Sequence, residues 1–130
     1  MTDPIKTDKT SSVSENASDS NGARLVQKHC VPCEGGALPL MRDESAKLLA
    51  ETPGWTIAQD GLSLSREFTF KNYVLAMEFA NTITPIAEAE GHHPDLAIGW
   101  GKVIVTLTTH AIGGLSENDF ILAAKINNIQ

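Results

Sequence analysis

The stretch Glu88-Ala89-Glu90-Gly91-His92-His93-Pro94 joins the longest helical pattern of the chain to the strand pattern that follows it. Upstream of it, apolar residues recur at helical spacing from Lys71 to Glu90. Pro94 disfavours helical backbone at His93, so we expect the helix to end before it and the chain to turn into a strand. Pro85 lies inside the same pattern and lacks a backbone donor, which predicts a kink or a split in the helix.

A strand hairpin is predicted on each side of this helix. The first has Trp55 and Ile57 on its opening strand, a turn at Asp60-Gly61, and an alternating return strand with one apolar face formed by Leu62, Leu64, Phe68 and Phe70. The second occupies Asp95 to Thr109, and its two strands present Leu96, Ile98 and Trp100, and then Val103, Val105 and Leu107. The same parity places His110 on the polar side, at the end of the return strand.

Two shorter helical patterns complete the domain. Asp43 to Thr52 precedes the first hairpin, and a capping box of Ser116 and Asp119 opens the last helix. The order helix, hairpin, helix, hairpin, helix predicts an α+β fold, with a four-stranded antiparallel sheet and the helices packed on one face. Because the last helix is apolar over most of its surface, we also expect an oligomer that buries it, a homodimer or a homotetramer.

Composition divides the 130 residues into three parts. Residues 1–22 are rich in Ser, Thr, Asp and Asn and hold few apolar residues, which predicts a disordered tail. Residues 23–39 are predicted to be an N-terminal loop extension, and residues 40–130 to be the folded domain. No apolar run suits a signal peptide or a membrane span, so we expect a cytoplasmic protein without a membrane partner. The net charge of -6 and the scattered Lys and Arg residues argue against a direct nucleic-acid partner.

The only cysteines, Cys30 and Cys33, form a C-x-x-C motif in the N-terminal extension. The pair could be a redox dithiol or half of a metal site. However, a thioredoxin-like motif opens a helix after a strand, and this segment shows no such pattern. We therefore favour reduced thiols in a structural loop.

Three of the four histidines, His92, His93 and His110, lie close together in the sequence. Imidazole exchanges protons near neutral pH, with an ordinary pKa of about 6.5, so a histidine cluster suits general acid and base chemistry. Metal binding is the alternative, but the chain lacks H-E-x-x-H, and no nearby cysteine pair completes a four-ligand set. We expect no metal.

The motif and the order of elements resemble the pterin-4a-carbinolamine dehydratase family. That family's pattern is an acidic residue, three spacers, His-His-Pro, an aromatic residue, a further histidine and a later aspartate. Here its places are filled by Glu88, His92, His93, Pro94, Trp100, His110 and Asp119. The resemblance spans roughly residues 40 to 126, and the C-x-x-C segment looks like the extension of some microbial and plant-type members.

The resemblance implies a 4a-hydroxytetrahydrobiopterin dehydratase that uses no cofactor and removes water from a 4a-hydroxytetrahydropterin to give the quinonoid dihydropterin. It makes His92, His93 and His110 catalytic: His92 and His110 deliver the proton and His93 mainly holds the pterin. Backbone groups of Gly91, His92 and His93, and of Thr108, Thr109, His110 and Ala111, would frame the ring, and Glu88 would orient a histidine. The family's animal members carry acidic residues at the places of Gly91 and Ala111, so no side-chain contact is expected there.

Other interpretations remain open at this point. Asp119 is explained by the helix cap alone, and Trp100 by packing in the core. The domain could be a non-catalytic dimerisation module, or it could act in molybdopterin metabolism. The intact histidine set favours the enzyme.

Overall fold

Four α-helices and four strands make up the part of the chain that the computed structural model describes, residues 23–31 and 38–129. The predicted tail, residues 1–22, and Cys33 lie outside these ranges. The elements are the helices α1 (Ala23–Val26), α2 (Arg42–Leu49), α3 (Tyr73–Glu90) and α4 (Glu117–Asn128), the strands β1 (Thr56–Ile57), β2 (Leu64–Thr69), β3 (Asp95–Gly99) and β4 (Lys102–Leu107), and a 3₁₀-helix (His110–Ile112).

The strands form one antiparallel sheet in the order β1-β2-β4-β3. β2 and β4 pair along their full lengths, with Leu64 opposite Leu107 and Phe68 opposite Val103. The two hairpins therefore lie side by side, and β1 and β3 are the edge strands. The predicted α+β fold is confirmed.

One face of the sheet carries the hydrophobic core. Strand side chains alternate between faces, so the buried ones on β2 and β4 share a side: Leu64, Phe68, Val103, Val105 and Leu107. They form one cluster with side chains from α1, α3 and α4, among them Leu25, Phe79, Ile83, Phe120 and Ile121. The opposite face carries polar or half-exposed residues such as Ser65, Glu67 and Thr106. The helices thus pack on one face, as predicted.

The helix α3 is continuous over 18 residues, so Pro85 does not split it. Pro85 and Asn81 are both exposed, and water can therefore reach the Asn81 carbonyl that has lost its usual donor. The predicted split is wrong because the missing hydrogen bond lies on the solvent side of the helix; the kink stays a prediction. At the start of α3, the Oδ1 of Asn72 accepts a hydrogen bond from the backbone of Leu75 at 2.9 Å.

The predicted packing of Trp100 in the core is wrong. Gly99 pairs with Lys102, so Trp100 and Gly101 form the turn between β3 and β4, and Trp100 is 72% exposed. Strand alternation does not continue into a turn. The strand residues Leu96 and Ile98 do lie on the core side, opposite Val105 and Val103, but the edge position of β3 leaves them partly exposed.

The N-terminal extension is not a loop throughout. Ala23–Val26 forms one helical turn, and Leu25 is fully buried in the core. The Nζ of Lys125 on α4 donates to the Val26 carbonyl at 2.7 Å and ties the end of this turn to α4. The prediction of a loop from residue 23 is corrected for these residues, because a helix of four residues is too short to show a helical period.

Most of the apolar surface of α4 is buried within the chain. α4 packs against α1, α2 and α3 in addition to belonging to the core cluster on the sheet. The reason first given for an oligomer is therefore wrong, because α1 covers part of the surface that was assigned to a second subunit. The oligomeric state stays a prediction. Among the helices of the described ranges, none is both long and apolar enough to cross a membrane.

The burial of Leu25 makes the N-terminal turn part of the folded unit. We expect Leu25→Ala to lower the free energy of unfolding by about 2–5 kcal/mol, because it leaves a cavity in the core. Leu38→Ala removes the same atoms from an exposed position and should change it by less than about 0.5 kcal/mol. Urea unfolding monitored by circular dichroism measures both; equal values would contradict the docking of α1.

Candidate active site

A pocket of about 630 Å³ opens between the end of α3, the segment after β4 and the start of α4. His92, His93 and His110 all line it. The two separated parts of the histidine motif therefore meet at one cavity. The full lining is Cys30, Val31, Glu88, Ala89, Glu90, Gly91, His92, His93, Thr108, Thr109, His110, Ala111 and Asn118.

A tight turn at the end of α3 sets the position of the histidine pair. Gly91 has a left-handed backbone, with φ of 63°. Its N–H bonds to the carbonyl of Glu88 at 3.3 Å, and that of His92 bonds to the carbonyl of Ala87 at 3.2 Å. This is a Schellman motif, in which glycine is preferred because it has no Cβ. The turn at Gly91 ends the helix, and Pro94 only follows it.

His92 is held by a buried carboxylate. Its Nε2 lies 2.6 Å from Oδ1 of Asp119, whose side chain is 0% exposed, whereas that of His92 is 12% exposed. An ionised carboxylate only accepts hydrogen bonds, so Nε2 carries the proton in this contact. The other ring nitrogen, Nδ1, makes no hydrogen bond to the protein within residues 23–31 and 38–129 and is left for proton exchange.

The same carboxylate caps α4. Oδ2 of Asp119 accepts from the backbone N–H of Ser116 at 3.0 Å and from Oγ1 of Thr109 at 2.8 Å. The predicted capping box of Ser116 and Asp119 is confirmed. The cap alone does not account for Asp119, however, because its second oxygen holds His92. A buried charge needs such a set of donors, since an unpaired one is costly.

The other two histidines are more accessible. Nε2 of His93 lies 2.6 Å from Oε2 of Glu88, and both side chains are exposed. His110 begins the 3₁₀-helix; the strand ends earlier, at Leu107, so its predicted place at a strand end is corrected. The reason is local: Thr109 leaves the ladder to pair with Gly114, which turns the chain. The ring of His110 makes no hydrogen bond to any other residue that the structure describes.

The remaining predicted site residues also border the cavity. Gly91, Thr108, Thr109 and Ala111 line it together with the histidines. The hydroxyl of Thr108 donates to the Leu62 carbonyl at 2.6 Å, and that of Thr109 donates to Asp119. Each hydroxyl thus donates its one proton to a protein acceptor, so toward a ligand it could only accept a hydrogen bond.

Five lining residues were not among the predicted site residues: Cys30, Val31, Ala89, Glu90 and Asn118. Oε1 of Glu90 accepts from the backbone N–H of Cys30 at 2.8 Å, and the side chain of Asn118 binds both backbone groups of Val31. Glu90 could have been predicted from the sequence, because it is an acidic residue two positions before His92. Asn118 gave none, because a polar residue in a first helical turn is ordinary.

Burial alone would raise the pKa of the Glu90 carboxyl, but its partners reverse the effect. The N–H of Cys30 contributes most, followed by His29, with Nδ1 at 3.1 Å, and the ammonium of Lys125 at 3.6 Å. Together they lower the pKa of Glu90 below its ordinary value of 4.5. Glu90 is therefore a charged group whose side chain is only 6% exposed.

No group of three or more histidine, cysteine or acidic side chains is arranged to hold a metal ion in the described ranges. Cys33 falls outside them, so the metal and redox alternatives for the C-x-x-C motif are not tested. Cys30 itself is half-buried, and its Sγ lies 3.6 Å from the Asn118 carbonyl.

Comparison with known proteins identifies the family. The model of the family described as pterin 4 alpha carbinolamine dehydratase matches residues 38–129. The chain belongs to the pterin-4a-carbinolamine dehydratase family. A relative from Methylococcus capsulatus, provisionally named a pterin-4-alpha-carbinolamine dehydratase, is 47% identical over 105 residues, which cover 81% of this chain and 92% of the relative. A protein of the same provisional name from Chlorobaculum tepidum is 49% identical over 108 residues, covering 82% and 97%.

Solved structures of the pterin dehydratase type share the fold. The crystal structure of a transcriptional coactivator/pterin dehydratase from Brucella melitensis matches with a TM-score of 0.66 and 32% identity, over 70% of this chain and 97% of that one. A pterin dehydratase-like protein, identified as a RuBisCO assembly factor in the alpha-carboxysome, matches with a TM-score of 0.51 over 58% and 88%. At 22% identity, that second match is a likeness of fold alone.

The lowered pKa of Glu90 predicts a pH-dependent contribution to stability. Because the folded value lies below the unfolded one, ionised Glu90 stabilises the fold above about pH 4.5, and this stabilisation is lost as the pH falls through the folded value. The excess stability of the wild type over Glu90→Gln should therefore shrink between pH 6 and pH 3. Urea unfolding across that range measures it. Glu78→Gln is the control for net charge, and a constant excess would contradict the prediction.

Proposed function

We propose that this protein is a 4a-hydroxytetrahydropterin dehydratase, acting on 4a-hydroxytetrahydrobiopterin or a close relative. The observation that carries the proposal is one pocket in which a carboxylate-bound histidine, His92, and a histidine without a protein partner in the described ranges, His110, both face the cavity. Membership of the family and the provisional names of the relatives support this reaction class.

The reaction needs two proton transfers and no change of oxidation state by an external reagent. The C4a–O bond breaks as the lone pair on N5 forms the C4a=N5 bond. The departing oxygen takes a proton and leaves as water, and N5 loses its own proton to give the quinonoid dihydropterin. Hydroxide is a poor leaving group, so an acid at the oxygen and a base at N5 both lower the barrier. This chemistry requires neither a metal nor an organic cofactor.

His92 suits a proton transfer that needs a fixed direction. Its contact with Asp119 fixes the ring orientation and keeps the proton on Nε2, so Nδ1 is the atom that exchanges a proton with the substrate. When protonated at both nitrogens the ring is an acid, and when neutral it is a base. Asp119 stays a positioning residue, because it reaches the substrate only through His92.

His110 and His93 take the complementary roles. His110 is exposed, so it can exchange protons with water between turnovers and act as the partner of His92. His93 is oriented by Glu88 and holds the pterin. Backbone groups of Gly91 to His93 and of Thr108 to Ala111 hydrogen-bond the ring, as the family resemblance implies. The pH dependence of the rate in His92→Ala and in His110→Ala distinguishes which of the two histidines acts as the acid.

A second candidate is a protein-binding role, alone or beside catalysis. The Brucella melitensis structure is described as a transcriptional coactivator as well as a pterin dehydratase. In this chain the edge strand β3 leaves Leu96 and Ile98 partly exposed, and exposed strand edges favour pairing with another chain. The predicted homodimer or homotetramer would use such an edge. Cytoplasmic location also stays a prediction.

Catalysis is tested by the decay of a chemically generated 4a-hydroxytetrahydropterin, followed by stopped-flow absorbance. We expect wild-type protein to accelerate the decay, and His92→Ala and His110→Ala each to lower the rate by about a hundredfold. Trp100→Ala is the control, because it alters an exposed side chain outside the pocket. No acceleration by the wild type over the spontaneous reaction would reject the enzyme in favour of the protein-binding role.

The role of Asp119 is separated from its cap by a matched pair of variants. Asp119→Asn keeps the shape but offers one acceptor oxygen where two are used, so we expect the rate to fall by about tenfold to a hundredfold. Asn72→Ala removes a cap from α3, far from the pocket, and costs about 1 kcal/mol of stability with the rate unchanged. Both are measured by urea unfolding and by the same assay. Equal rates in Asp119→Asn and wild type would show that Asp119 only caps the helix.

A further inference from the structure

Part of the pocket wall comes from residues that precede the family match. Cys30 and Val31 line the cavity, whereas the family model begins its match at residue 38. We call His29–Val31 the wall segment. Its backbone is fixed by two buried side chains that do not belong to the predicted site, Glu90 and Asn118.

Asn118 holds the wall segment from α4. Its Nδ2 donates to the Val31 carbonyl at 2.6 Å, and its Oδ1 accepts from the Val31 N–H at 3.1 Å. A side-chain amide thus satisfies both backbone groups of one residue, as a neighbouring strand would. Asn118 is buried and directly precedes Asp119, so the wall segment is attached beside the carboxylate that holds His92.

Glu90 holds the wall segment from α3. Its two carboxylate oxygens contact the Cys30 N–H and the His29 ring, and Lys125 lies close to the same carboxylate. Glu90 is two residues before His92 in the turn that positions it. We call Glu90 and Asn118 the anchors of the wall segment. Glu90 is close in sequence to His92, and Asn118 is next to Asp119, so each anchor adjoins one member of the His92–Asp119 pair.

Core packing does not explain why two buried polar side chains, Glu90 and Asn118, hold the wall segment. The side chain of Val31 gains little from burial, because the residue is 65% exposed, although its backbone is fully engaged by Asn118. An apolar side chain on an ordered backbone at the edge of the pocket offers a surface to the flat ring or the alkyl substituent of a ligand.

We infer that the wall segment contacts the bound pterin through Val31, and that Glu90 and Asn118 are positioning residues that hold it in place. The inference rests on the proposed function for the identity of the ligand. A contact of this kind is made equally in the ground state and the transition state, so losing it raises KM and leaves kcat nearly unchanged. The histidine variants, in contrast, lower kcat.

The test compares Val31→Ser and Asn118→Ala with Lys28→Ala in the full-length protein. Lys28 lies in the same N-terminal stretch and pairs with Glu117, but it does not line the pocket. We expect the first two variants to raise KM, and the dissociation constant of the unreactive oxidised pterin biopterin measured by calorimetry, by about fivefold to tenfold, with kcat within about twofold. Lys28→Ala should match the wild type in all three quantities.

A second measurement reports whether the anchors hold the segment. In a Cys33→Ser background only Cys30 reacts with a thiol reagent, and we expect Asn118→Ala and Glu90→Ala to speed its labelling by about tenfold or more, since they release the segment. Unchanged labelling would overturn the anchoring roles. Faster labelling with unchanged biopterin affinity and KM would overturn the pterin contact.

These outcomes separate the two proposals. If the wild type fails to accelerate the dehydration but binds biopterin in a manner that depends on Val31, the proposed reaction is wrong and the wall contact stands. If the wild type accelerates the reaction and Val31→Ser changes neither KM nor biopterin affinity, the wall contact is wrong and the reaction stands.

Discussion

The buried carboxylate of Asp119 is the interaction on which both the site and its surroundings depend. It receives three donors, from the Ser116 backbone, the Thr109 hydroxyl and the His92 ring, and these come from three different parts of the chain. A carboxylate removed from water needs such partners, because their loss would leave an uncompensated charge in the interior. The same carboxylate therefore stabilises the start of α4 and orients His92 toward the pocket.

Periodicity accounts for how much of the fold could be predicted. Each long element has a repeating apolar face, such as Phe79, Ile83 and Ala87 on α3 or Val103, Val105 and Leu107 on β4, and all of these are buried. Predictions failed where the pattern was too short or continued past its end. Leu25 lies in a one-turn helix that is too short to show a helical period, and Trp100 keeps strand parity inside a turn.

For the candidate site, sequence could name the groups but not all of their partners. The sequence predicted a cluster of His92, His93 and His110, and these residues line one pocket. The capping-box pattern predicted the contact of Asp119 with Ser116. The contact of Asp119 with His92 joins residues that are far apart in the chain, and the cap had already explained the aspartate. Asn118 and Val31 are farther apart still. Backbone recognition by an amide side chain leaves no pattern in a single sequence, because almost any residue can supply the backbone.

The positions of Glu90 and Asn118 link the wall segment to the acid–base pair. Glu90 lies on the same turn as His92, and Asn118 is the chain neighbour of Asp119, so each anchor shares a stretch of backbone with a member of the pair. At most two peptide units separate each anchor from its neighbour in the pair, and the effects of substitutions at such connected sites on stability are generally not additive. The histidine that needs the most exact orientation is thus the one next to the wall segment.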